Sequence, residues 1–168
     1  GGCHWQHLSY EYEIEAKKKI LQDTLSRIGK VGPDSYTCPP PILSPKPYGY
    51  RCRIRLQGLT QRTTELGFFK AHSREIIPID RCELASEFLN ETVKRLHGFL
   101  NSLDYLLAFS EVQVLTGPDQ QEATLSFSSP LRMDDELVKD FLKNLKAYIP
   151  KVYGVSFETV NNGEAHTE

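Results

Sequence analysis

The chain has 168 residues, 39% hydrophobic and 25% charged, with a net charge of −2. That length suits one domain, or one domain with an appendage, and the near-neutral balance excludes a uniformly basic nucleic-acid binder. No apolar run approaches the roughly 20 residues that span a bilayer, and the opening thirty residues are too polar for a signal peptide, so the expectation is a cytoplasmic protein with no membrane partner.

The chain opens on Gly1-Gly2-Cys3-His4-Trp5-Gln6. A cysteine behind two glycines suits a tight turn in which several thiolates converge on one metal centre, because glycine adopts positive φ without steric cost. Ser9 to Ile28 reads as a helix: Tyr10, Ile14, Leu21, Leu25 and Ile28 form one apolar stripe. Ser9 is its expected N-cap and Gly29 its C-cap, with Glu13–Lys17 and Glu15–Lys19 as i,i+4 pairs.

Residues Val31 to Pro47 contain Pro33, Pro39, Pro40, Pro41, Pro45 and Pro47. Such a run excludes helix and central strand, and predicts a stiff polyproline-type linker that tethers the first helix, which need not pack on the rest. The expected division is therefore residues 1–30 (cysteine motif and helix), 31–47 (linker) and 48–168 (main domain).

Beyond the linker, Tyr50, Cys52, Ile54 and Leu56 alternate with Arg51, Arg53, Arg55 and Gln57, a strand with an apolar and a basic face. Thr64–Lys70 is a second strand and Ile76–Ile79 a short extended run. A helix follows over Glu83–Leu103, then a hairpin of Leu106–Leu115 and Glu122–Phe127 turning at Gly117-Pro118-Asp119. A helix from Asp134 or Asp135 to Tyr148 precedes a last strand, Val152–Val160, and Asn161-Asn162-Gly163 is a hairpin signal with only a short partner after it. The order predicts an α+β domain: an antiparallel sheet with helices on one face, in a split βαβ (ferredoxin-like) arrangement.

Several of these segments resemble the RNA (uracil-5-)-methyltransferase family. Gly1-Gly2-Cys3-His4-Trp5-Gln6-His7-Leu8-Ser9-Tyr10 is similar to the family's Cys-Gly-Gly-Cys element with its aromatic-Gln-x-x-x-Tyr continuation. Tyr48-Gly49-Tyr50-Arg51-Cys52-Arg53 is similar to its Tyr-Arg-Asn-basic strand, with Cys52 where Asn is usual. Leu66-Gly67-Phe68-Phe69-Lys70-Ala71-His72-Ser73 and Ile79-Asp80-Arg81-Cys82-Glu83-Leu84 continue the likeness, which is greatest to the 23S rRNA branch.

The resemblance implies an enzyme that methylates C5 of a uracil from S-adenosylmethionine, through a cysteine adduct at C6 and a carboxylate base. It implies OB-type and S-adenosylmethionine-binding domains, and a nucleophile, base and cofactor loop, all expected outside this chain. The chain is then expected to be a central-domain fragment that catalyses nothing alone. It also implies a 4Fe–4S cluster in the parent for which Cys3 and Cys82 would be the third and fourth ligands. No cluster is expected on this chain, since four thiolates are needed and Cys38 and Cys52 are poorly placed to complete them.

Arg51, Arg53 and Arg55 at period two form a positive stripe suited to phosphates, which Lys70, His72 and Arg74 extend. Phe68 or Phe69 is available to stack on an unpaired base. The plainer reading is a solvated face, or ion pairs with Glu65 and Glu75. RNA, rRNA before tRNA, is the expected partner. The apolar stripe of the first helix, with Trp5, leads to a second expectation, self-association through that helix. The alternatives are a stand-alone RNA-binding module of RRM-like topology and a metal or redox sensor using Cys3 and Cys82.

Overall fold

The computed structural model describes Trp5 and residues 7–161 and 164–167. The chain divides between Pro47 and Tyr48 into two compact units. In the first unit, helix α1 spans Tyr10–Arg27, and the Ser9 hydroxyl accepts the Tyr12 N–H as N-cap. Its left-handed terminal residue is Lys30 (φ 54°), one position beyond the expected Gly29. None of its residues is buried. The proline-rich segment nonetheless does more than hang the helix: Tyr36 and Cys38 are half-buried, and the Ser44 N–H donates to the Tyr10 hydroxyl at 2.8 Å. It is a strap that returns along its own helix.

The second unit contains β1 (Arg53–Thr60), β2 (Thr64–Phe69), β3 (Ile76–Pro78), α2 (Glu87–Ser102), β4 (Glu111–Thr116), β5 (Ala123–Ser129), α3 (Asp135–Tyr148), β6 (Val152–Asn161) and β7 (Glu164–Thr167). The strands form one sheet in the order β3-β2-β1-β4-β5-β6-β7. Every adjacent pair is antiparallel except β5 and β6, which are parallel and joined by α3. The fold is thus mixed α/β with a mostly antiparallel sheet.

The interleaving of a split βαβ arrangement, which an RRM-like order also needs, is absent from this sheet. β6 pairs directly with β5, leaving no slot between them, and the β1–β2–β3 meander occupies the other side of β4. The physical reason lies in β1: its hairpin with β2 fills one edge, so β4 takes the other.

Strand periodicity decides what lies inside. Ile54 and Leu56, Val112 and Val114, and Ala123, Leu125 and Phe127 are all buried at alternate positions. They meet Leu89, Val93, Leu96, Phe99 and Leu100 of α2 and Phe141 and Leu145 of α3 in one core. Phe127 and Phe99 both stand edge-on to Phe141, at 5.6 and 5.3 Å. Each such ring contributes roughly 1.5–3 kcal/mol by burial.

Helix α2 starts later than the expected Glu83, because the Ser86 hydroxyl caps it by accepting the Leu89 N–H. The residues before it pair instead with the chain entering the sheet. Gly49 N–H donates to Glu83 O, Arg51 N–H to Leu84 O, and Ser86 N–H to Arg51 O. Consequently the basic strand begins at Arg53, and Arg51 sits in an isolated bridge with Ala85.

Candidate nucleic-acid interface

The face of the sheet turned away from α2 and α3 carries the residues that alternate with the core. Register aligns Arg53 with Leu115 and Thr124, and Arg55 with Gln113, Ser126 and Ser156. With strands about 4.8 Å apart, the arginines of β1 stand beside a shallow surface of small polar side chains. The Ser156 hydroxyl lies 3.0 Å from that of Ser126 across β5 and β6.

The three arginines are not equivalent. Arg55 is anchored, its Nε 3.2 Å from Glu111 Oε1 and its Nη2 donating to Gln113 Oε1. Glu111 also accepts from Gln57 Nε2 at 3.0 Å. Arg51 and Arg53 are exposed and form no ion pair among the described residues. Two guanidiniums are therefore free for an incoming anion, and the third is held upright.

The β2–β3 connection carries the rest of the sequence-derived set. Lys70 pairs with Glu75 at 2.9 Å, and its N–H donates to Glu75 O, closing the hairpin that holds His72 (φ 57°) and Arg74. An exposed pair of this kind is worth little. Glu65 approaches His97 Nε2 at 3.7 Å. Gly67 pairs with Gln57, so Phe69 shares the arginine face, whereas Phe68 alternates onto the side of buried Leu66. Both phenylalanines are exposed, Phe69 by 50%. Glu111 is the participant that sequence reasoning missed; it lies 56 residues from Arg55 in the numbering, and only the β1–β4 register brings them together.

Cys3 lies outside the described residues; Cys38, Cys52 and Cys82 are free thiols. Cys52 is exposed rather than on the apolar face, at the sheet's end where its carbonyl accepts from Thr116 N–H and Oγ1. Cys82 is half-buried in a loop that Asn90 grips, Oδ1 accepting the Cys82 N–H and Nδ2 donating to the Cys82 and Ala85 carbonyls. Among the described residues no group of three His, Cys, Asp or Glu side chains could hold a metal ion. The donor set of an iron–sulfur cluster is not assembled by them. Nor does the turn from β5 into α3 (Pro130-Leu131-Arg132-Met133-Asp134) contain a glycine-lined cradle for a cofactor. No helix of the described residues is long and apolar enough to cross a membrane.

No family model matches the chain. It is 34% identical over 145 residues to a protein of Aquifex aeolicus described as an uncharacterised RNA methyltransferase, a match covering 86% of the chain and 32% of that relative. It is 30% identical over 145 residues to a 23S rRNA (uracil(1939)-C(5))-methyltransferase of Pseudomonas fluorescens, covering 84% and 31%. The chain is a relative of the RNA (uracil-C5)-methyltransferases.

It spans about a third of the length of these relatives. In fold it resembles the Pyrococcus abyssi tRNA (uracil-54, C5)-methyltransferase solved with S-adenosyl-L-homocysteine, with a TM-score of 0.65 at 20% identity over 97% of this chain and 38% of that one.

Proposed function

We propose that this chain is the RNA-holding portion of an S-adenosylmethionine-dependent RNA (uracil-C5)-methyltransferase acting on rRNA. The observation that carries the reading is the match to RNA methyltransferases over more than four-fifths of the chain. The open sheet face supports it. Arg51 and Arg53 supply mobile positive charge for phosphates, and Arg55 supplies a fixed guanidinium. Lys70, His72 and Arg74 extend that charge along the β2–β3 hairpin. Phe69 offers an exposed ring for an unstacked base, and Phe68 flanks it from the other side of the strand.

S-adenosylmethionine supplies the methyl group when bound, and none of the residues described above is assigned to hold it. The part taken by this chain is to grip the backbone of an RNA whose target uridine has left its stack. Cys82, fixed by Asn90, is offered as one iron–sulfur ligand of the parent enzyme, with Cys3 as another. Self-association through α1 would cover its exposed Ile20 and Leu21 together with Ile28 just beyond its end.

The test is methyl transfer by the polypeptide that carries this sequence, using tritiated S-adenosylmethionine and unmethylated 23S rRNA or tRNA. Incorporation at C5 of a uridine in the rRNA is expected. Transfer confined to tRNA would correct the substrate, and no transfer to either would remove the reading.

A further inference from the structure

A cavity of about 560 Å³ lies between the C-terminal end of α2, the segment after it and α3. Its size falls within the range of roughly 300–1,000 Å³ typical of small-ligand sites, but it is an open depression, with Ser102, Asp104, Asp140, Asn144, Ala147 and Tyr148 of its lining exposed. Phe99 forms its floor and Tyr148 one wall, with ring centroids 5.6 Å apart, and 46% of Tyr148 is exposed. Asp104 and Asp140 line it as well, and neither has an ion-pair partner among the described residues. Asn144 Nδ2 donates to Asp140 Oδ2 at 2.9 Å, orienting that carboxylate.

Three further observations make the cavity an acceptor for positive charge. No basic side chain lines it. The last turn of α2 carries no basic residue, so the negative end of its dipole is uncompensated beside the same space. The Tyr105 hydroxyl at its edge is buried without a hydrogen-bond partner among the described residues. Burial, then the charges of Asp140 and Asp104, raise the Tyr105 pKa, which puts both carboxylates within electrostatic reach of the phenol. Two carboxylates among aromatic walls do not make the six- to eight-oxygen shell of a hard metal ion.

We propose that this cavity binds a guanidinium group. A planar cation stacks against Tyr148, and its fork of N–H donors is shared between Asp140 and Asp104. An ammonium ion lacks the flat face and the fork, and is expected to bind more weakly. The site is on the helical side of the sheet, away from the arginine face, so it is independent of the proposed RNA contact.

The experiment titrates the isotopically labelled chain with ethylguanidinium, with a blocked glycine-flanked arginine peptide and with its lysine counterpart, following backbone amide shifts. Saturable shifts confined to Asp104, Tyr105, Asp140, Asn144 and Tyr148 are expected, with the lysine peptide weaker. The doubly substituted Asp104→Asn, Asp140→Asn chain, altered only at exposed positions, should keep its melting temperature and lose roughly tenfold or more in affinity. A peptide tighter than ethylguanidinium assigns the group to a protein partner; equal affinity assigns it to a free small molecule. Shifts no larger than those from sodium chloride at equal ionic strength overturn the proposal. So does undiminished binding by the double variant.

Discussion

Gly67 shows how a single position can hold an edge of this sheet. A methyl group there would stand 2.1 Å from the Ile77 carbonyl oxygen and 2.9 Å from Pro78 Cα, all backbone atoms that cannot turn aside. Gly67→Ala should therefore push β3 off β2 and destabilise the chain by about 1–3 kcal/mol, read as a lower urea midpoint with the slope retained. An unchanged midpoint would mean that β3 contributes nothing to the folded state. The arginine stripe was legible at this scale, since alternation with Ile54 and Leu56 shows which side chains point outward. Its division into two free guanidiniums and an anchored one was not, because Glu111 and Gln113 reach Arg55 only through strand register. The side taken by Phe69 and Phe68 likewise required the Gln57–Gly67 pairing.

At the scale of elements, α1 and α2 begin alike and have opposite fates. Both are amphipathic and capped by serine, yet α2 buries Leu89, Val93, Leu96, Phe99 and Leu100 while α1 buries nothing. Helices of this length draw most of their stability from packing. Hydrogen exchange should accordingly find the amides of Leu96 and Leu100 among the slowest in the chain, and those of α1 faster by orders of magnitude. Equal protection would show that α1 has acquired a partner in solution, as self-association requires. Element types were legible from period and caps. The start of α2 lies beyond the expected Glu83 because Glu83 to Ser86 pairs with Gly49 and Arg51, a nonlocal contact that local propensity does not encode. The proline run holds no α-helix, but it does hold a 3₁₀ turn at Pro33–Ser35, and its return to Tyr10 depends on one hydrogen bond spanning 34 positions.

At the scale of the whole molecule, the sheet separates two chemistries. One face closes over the aromatic core with α2 and α3; the other presents arginine, serine and threonine to solvent. The strand order lay beyond sequence reasoning, since both the expected interleaving and the observed meander satisfy the same alternation of strands and helices. The relatives match the family resemblance as a whole, of which Tyr48–Arg53 and Leu66–Ser73 are two segments. What those segments do together is the claim most open to direct measurement. It is tested by fluorescence anisotropy of a labelled single-stranded RNA against this chain and its Arg51→Gln, Arg53→Gln variant across a salt series. Binding by the native chain is predicted, with a salt slope shallower by about 1.4 in the variant, because each single-strand phosphate contact accounts for roughly 0.7. A native chain that fails to bind, or a variant with the same affinity and slope, would contradict the assignment of this face to RNA.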